Sequence, residues 1–319
     1  MSRARLLAAM FTFGLLGMTT VFGQEFPNRT VRIVTLLPGG SANFVARLIA
    51  DGIAVPLGQP VIVENRPTTV VSAAIVAQAA PDGHTLYVGS GSFWMAPYLY
   101  DQLPWHPVKD FVPITGALSA PNLLVVHPAV PVKSVKELVA LAKSKPGELN
   151  FSSAGIGSSG HLAGELFKSM AGVNIMHIPY KAAGLAVTDL IGGQVQLGFP
   201  SSTSASPHVK SGRLRALAVT SAQPSALAPD LPTVTASGVP GYVAVSMTGI
   251  FAPAKTPRTI INRLNQEMVR VLSKEDVKEK FFSVGAEIAA GSPEQFGAAI
   301  KSEMARMGKV IKEAGIKAE

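Results

Sequence analysis

Hydrophobic positions near the start of the chain switch between two periods. Val31-Arg32-Ile33-Val34-Thr35-Leu36 is a β-branched run broken by Pro38-Gly39-Gly40-Ser41. Phe44, Val45, Leu48, Ile49 and Ile53 then recur at helical spacing. Short apolar strands are predicted at 61–63 and 85–88, with an alanine-rich helix over 71–80 between them, closed by Pro81-Asp82-Gly83. The middle of the chain repeats this style. Strands are expected at 123–126, 149–152, 174–178, 195–199 and 214–219. Ser134-Val135-Lys136-Glu137 reads as a capping box opening a helix that ends near Pro146. A second helix carries Leu162, Ala163, Leu166, Phe167 and Met170 on one face. In the tail, Thr256-Pro257 reads as an N-cap followed by proline at the first helical position. Ser292-Pro293-Glu294-Gln295 starts a last helix with Phe296, Ile300, Met304, Met307 and Ile311 inward, stopped by Gly315. Strands alternating with helices predict an α/β fold with parallel, doubly wound sheets. The stretch holding Trp94, Pro97, Pro104 and Trp105 reads as loop, its tryptophans either filling a core or lining a cleft.

Composition bounds the class. The 319 residues are 47% hydrophobic and 15% charged, enough for two domains with substantial cores. Residues 1–23 read as a signal peptide: Arg3 and Arg5 precede an apolar stretch over 6–18, and Val21-Phe22-Gly23 offers a cleavage site. An exported, periplasmic protein is expected. Cysteine is absent, which excludes disulfides and a lipid-anchored N-terminus. The net charge is +8, but its basic residues are scattered, so no nucleic acid is expected as a partner.

Two strand–glycine–helix units carry the candidate chemistry. The first spans Pro38, Gly39, Gly40 and Ser41. The second spans Ala154, Gly155, Gly157 and Ser158, and with Gly160 it spells G-x-G-x-x-G. A helix N-terminus presents unpaired N–H groups and the positive end of a dipole, and glycine lets an anion approach the backbone. The dinucleotide reading fails because the strand about 20 residues on ends in Pro179-Tyr180-Lys181, without an acid. A carboxylate site and a purely structural turn remain. Ser158 with His161 admits a second class, a serine hydrolase, although spacing alone supplies no third group to orient the base. The histidines show no paired ligand spacing, so neither metal nor cofactor is expected.

Beyond these units, the ordered matches Phe26-Pro27-Asn28-Arg29, Pro38-Gly39-Gly40, Val63-Glu64-Asn65-Arg66-Pro67, Ala80-Pro81-Asp82-Gly83, Ser153 through Ser158, Ile178-Pro179-Tyr180-Lys181, Asp189-Leu190-Ile191-Gly192-Gly193-Gln194 and Phe251-Ala252-Pro253 span the chain after residue 23. In these the sequence resembles the Bug family, the TctC-like periplasmic receptors of tripartite tricarboxylate transporters. The resemblance implies a type II Venus flytrap without catalysis, with domain 1 from 24–122 plus 222–319 and domain 2 from 123–221. It implies a monomer that holds a small carboxylate in the cleft and delivers it to membrane subunits of a transporter or to a sensor. By analogy the two glycine turns grip the ligand, aided by Ser90 and Ser92, with His161, Tyr180 and Pro200 as further candidates.

Four departures from the family pattern bear on the ligand. Asn43 stands where an aspartate is usual, Thr68-Thr69-Val70-Val71 replaces a glycine-rich run, Leu36-Leu37-Pro38 replaces an aromatic and two prolines, and Phe199-Pro200-Ser201-Ser202 replaces an aspartate-asparagine pair. Each change removes charge or adds bulk, so a carboxylate without an ammonium group is expected.

Overall fold

The computed structural model describes residues 26–38, 41–180 and 183–317. The signal peptide expected over residues 1–23, Gly39, Gly40 and Lys181 lie outside the described residues. The chain first lays down β1 (Val31–Leu36), α1 (Ser41–Leu57), β2 (Val61–Arg66), α2 (Thr69–Ala77), β3 (Thr85–Ser90), α3 (Gly91–Leu99) and β4 (Phe111–Pro121). It then crosses into β5 (Leu123–Val126), α4 (Val135–Ser144), β6 (Asn150–Ser153), α5 (Ser159–Ala171), β7 (Met176–Pro179), α6 (Ala183–Ile191), β8 (Leu197–Gly198), α7 (Ser202–Lys210) and β9 (Arg215–Val219). It returns through β10 (Val245–Pro253), α8 (Arg258–Leu272), α9 (Glu275–Ser283), β11 (Glu287–Ile288) and α10 (Pro293–Glu313).

These strands form two sheets, ordered β11-β4-β10-β3-β1-β2 and β7-β6-β8-β5-β9. Apart from the edge strand β11, the two share one plan. A parallel trio, β2-β1-β3 or β7-β6-β8, is followed by one antiparallel strand arriving from the other lobe. That strand is β10 in the first sheet and β5 in the second. The sheets are therefore mixed rather than wholly parallel. Each visiting strand is the one the chain uses to cross between lobes, and its direction is reversed by the crossing. At the crossing, Asn122 N donates to Thr220 Oγ1 at 2.8 Å, Thr220 N donates to Asn122 O at 3.0 Å, and Ala244 N donates to Thr220 O at 2.9 Å.

Helix signals explain most element starts. Ser292 forms a full capping box with Gln295, as the sequence predicts. Ser134 caps α4 through Glu137 N at 3.2 Å, but the Glu137 carboxylate accepts from Lys133 N, one residue earlier than a capping box requires. Pro257, not Thr256, is the N-cap of α8, so that helix starts one residue late and Thr256 Oγ1 is buried without a hydrogen-bond partner.

The tryptophan stretch differs most from expectation. Residues 91–99 are the helix α3, with Trp94 and Phe93 wholly buried. Its apolar residues surround the axis, so no amphipathic stripe shows in the sequence, and Pro97 lies inside it. Phe93 packs edge-on against Tyr87 and Phe111 at 4.8 Å and against Phe251 at 5.0 Å. Such pairs add about 0.5–1.5 kcal/mol each beyond area burial. The same apolar cluster runs through Ile300, Met304 and Met307 of α10 into Leu162 and Leu166 of α5, so the last helix packs on both lobes.

Candidate functional site

Both α3 and α5 begin at the carboxyl ends of strands, where open α/β sheets place ligands. Their N-termini, one from each lobe, border the same cavity of about 220 Å³. Residues 90–92 line it from α3 and residues 157–159 from α5. Residues 244–247 supply a wall from the crossing segment, and Met95, Leu162 and Met307 an apolar floor. A smaller cavity of about 100 Å³ adjoins it through Ser158 and Ser159 and is lined by Ala154, Pro200 and Ser201.

The second glycine turn is built by its own side chains. Ser153 Oγ accepts from Gly155 N at 3.2 Å, which curls the chain after β6. Gly155 (φ 115) and Gly157 (φ 75) take backbone angles that side-chain-bearing residues avoid. A Cβ on Gly157 would also come 3.0 Å from Leu99 Cδ1 of α3. Ser158 is the N-cap of α5, its Oγ accepting from His161 N at 3.3 Å. Ser158→Ala is expected to cost about 1 kcal/mol of stability through loss of the cap, read as a fall in the urea midpoint.

His161 is turned away from serine chemistry. Its Nδ1 accepts from Gly157 N at 3.0 Å, and its Nε2 faces Glu165 at 3.9 Å. The ring therefore braces the glycine turn, and Ser158 Oγ lacks the ring contact that a nucleophile–base pair requires. His161 also stacks on His177, 3.8 Å between centroids at 12°, and His177 Nε2 lies 2.7 Å from Ser153 Oγ. Burial, then the neighbouring His177 and then Lys168, depress His161 to about 3. Burial and then Lys168 bring His177 to about 4. Both rings are neutral near pH 7.

The remaining candidates fall in several places. Ser90 is the N-cap of α3 without a side-chain cap bond, and its Oγ lies 3.5 Å from Ser92 Oγ. Ser41 Oγ pairs with Thr248 Oγ1 at 3.0 Å, and Thr248 stands opposite Ser90 in the β10–β3 register. Ser41 thus sits one residue pair from the cavity without lining it, and Pro38 is exposed. Tyr180 donates to Asp189 at 2.8 Å and lines neither cavity. Asn43 Oδ1 accepts from Arg47 Nε at 3.2 Å, while its buried Nδ2 has no hydrogen-bond partner.

Of the cavity-lining residues that the sequence does not single out, two are charged: Glu303 and Arg306 of α10. Glu303 Oε2 accepts from the Trp94 indole at 3.0 Å, and burial pushes its carboxyl up to about 7. The sequence shows only that Glu303 falls beside the apolar stripe of Ile300, Met304 and Met307; that the stripe faces a cavity at this point comes from the packing of α10.

Two opposed helix N-termini on one cavity between two α/β lobes make a small-molecule binding site, the class of site found in solute-binding proteins. The family model of the tripartite tricarboxylate transporter family receptor, TctC, matches residues 45–316, and the chain belongs to that family. BugT of Bordetella pertussis is 35% identical over 324 residues, covering 99% of each chain. R. palustris Rpa4515, solved with adipate, is 35% identical with a TM-score of 0.76, over 92% of this chain and 99% of that one. MatC from Rhodopseudomonas palustris, solved with bound malate, is 32% identical with a TM-score of 0.73, over 90% of this chain and 100% of that one. The fold is the two-lobed type II fold of these receptors.

Proposed function

We propose that this chain is a periplasmic receptor that captures a small dicarboxylate between its lobes and hands it to the membrane subunits of a tripartite transporter. The observation that carries this reading is the pair of helix N-termini, α3 from one lobe and α5 from the other, on a single cavity. Each offers backbone N–H groups and a positive dipole end to one carboxylate. The adipate of Rpa4515 and the malate of MatC support the ligand class. The lobes correspond to residues 24–122 with 222–319 and to residues 123–221, and closure about the Asn122–Thr220 crossing traps the ligand. Residues 1–23 direct export, and the receptor works as a monomer.

A thermal-shift series with adipate, malate and citrate tests the reading. A ligand that binds the folded state alone, present at 100 times its Kd, raises stability by about 2.7 kcal/mol. A dose-dependent rise in Tm without turnover is expected, and Gly157→Ala should weaken it at least about tenfold by distorting the α5 turn, a factor worth about 1.4 kcal/mol. A Tm unmoved by every member of the series at millimolar concentration rejects the proposal.

A further inference from the structure

The cavity holds two charged side chains, three residues apart on one helix, that do not form an ion pair with each other within 4 Å among the described residues. The buried Nε of Arg306 has no hydrogen-bond partner. Glu303 is held in place by a single neutral donor, the Trp94 indole. Neither forms a salt bridge among the described residues, although both border the space where the ligand is expected. A ligand carboxylate arriving there meets an attractive guanidinium and a repulsive carboxylate together.

We propose that Arg306 and Glu303 form a charge selector for the cleft: Arg306 pairs with a carboxylate of the ligand, and Glu303 takes up one proton as that ligand enters. The inference rests on the carboxylate-receptor reading and adds to it the rule by which the cleft chooses its ligand. A dicarboxylate with an apolar middle fits, because Met95, Leu162 and Met307 face the space between the helix N-termini and α10. The protonated Glu303 then donates a hydrogen bond to the ligand or to a bridging water while its other oxygen keeps the indole bond. The balance is one proton from solvent to a Glu303 oxygen per ligand bound, with no bond made or broken in the ligand.

The surroundings leave Glu303 free to take that role. Burial already holds its carboxyl near 7, with the Trp94 bond and Arg306 pulling the other way. The elements packed on α10 bring few other ionisable groups. Neither β4 nor β10 carries an ionisable residue. From α3 there is Tyr98, which lies beside Gly308 and beneath Lys312, 5.9 Å from its ring. From α5 there are His161, depressed and neutral, and Glu165, paired with Lys168 at 2.9 Å. Arg306 is therefore the charged group that shares the cavity with Glu303.

The test is calorimetry of the full mature chain with glutarate and with glutamate, the same carbon chain carrying an amine. Titrations at pH 8 in two buffers of different ionisation enthalpy count the protons taken up. Glutarate should bind with close to one proton, and its affinity should fall by up to about tenfold per pH unit above pH 7. Glu303→Gln should remove the uptake and the pH dependence together. Arg306→Gln should weaken glutarate at every pH. Glutamate should bind more weakly than glutarate. Glutarate binding without proton uptake, or glutamate binding more tightly than glutarate with its amine on Glu303, overturns the selector and leaves the receptor reading standing. Absence of heat and of thermal stabilisation with glutarate and with every acid of the earlier series from pH 5.5 to 8.5 overturns both. The buffer comparison on the unmutated chain decides the matter even where a variant folds poorly.

Discussion

Trp94→Ala should lower the free energy of unfolding by about 3–5 kcal/mol, the range for truncating a fully buried tryptophan. Trp94 has no exposed surface, and its ring lies 6.2 Å from both Phe251 and Phe296. The truncation leaves a cavity where α3, β10 and α10 meet, and packed elements close such a gap only in part. It also strips the carboxyl of Glu303 of the indole that holds it at 3.0 Å. Leaving a buried polar group without its partner costs about 1–3 kcal/mol. Trp94→Phe separates the two contributions, since it keeps most of the ring but not the donor, and a loss of about 1–2 kcal/mol is expected. Urea melts of both variants supply the comparison, with unchanged slopes certifying that midpoints report stability. A loss under about 1 kcal/mol for Trp94→Ala would show that α3 is not anchored by this residue. The consequence reaches the cavity, because residues 90–92 at the head of α3 line it. Ligand affinity in Trp94→Ala should fall with stability.

The anchoring role of Trp94 also marks the limit of what the sequence displays. Helix α10 is legible because a capping box and an apolar stripe coincide at Ser292 and Phe296. Strand β1 and the glycine turn after β6 are legible because their signals are local: a β-branched run, and glycines where φ must be positive. Helix α3 opens on Gly91, contains Pro97 and is apolar around its whole circumference, so local rules disfavour the helix that tertiary packing imposes. Strands β4 and β10 are held by pairing between residues more than a hundred positions apart, such as Val245 with Pro121. The same distance hides Glu303 and Arg306. They share a wall with Ser90 and Ser158 only because α10 packs on both α3 and α5, a contact no spacing rule encodes.

The ligand-free protein should lose about 2 kcal/mol of stability between pH 6.5 and pH 5, and Glu303→Gln should roughly double that loss. Three groups set the slope. His161 and His177 are depressed to about 3 and about 4 by burial, so below pH 6.5 the unfolded chain binds protons that the folded chain refuses. Each therefore contributes stability that is present above 6.5 and is lost as pH falls, at about 1.4 kcal/mol per pH unit. Glu303 acts in the opposite sense. Its carboxyl is raised to about 7, so between 4.5 and 7 the folded chain keeps a proton that the unfolded chain has released. Falling pH favours folding at this site by a similar slope, cancelling one histidine. The net is one uncompensated histidine in the unmutated chain, two in Glu303→Gln and none in His177→Gln, where the melting temperature should be nearly flat over the same range. Chemical denaturation at pH 5, 5.5, 6 and 6.5 reads these three slopes above the range where ordinary carboxylates titrate. Equal slopes for the unmutated chain and Glu303→Gln would mean that Glu303 is ionised in the folded state at pH 6. With its carboxyl below 6, the incoming anion would have to raise it by more than about two pH units before a proton is taken up at pH 8, so uptake close to one proton would no longer be expected.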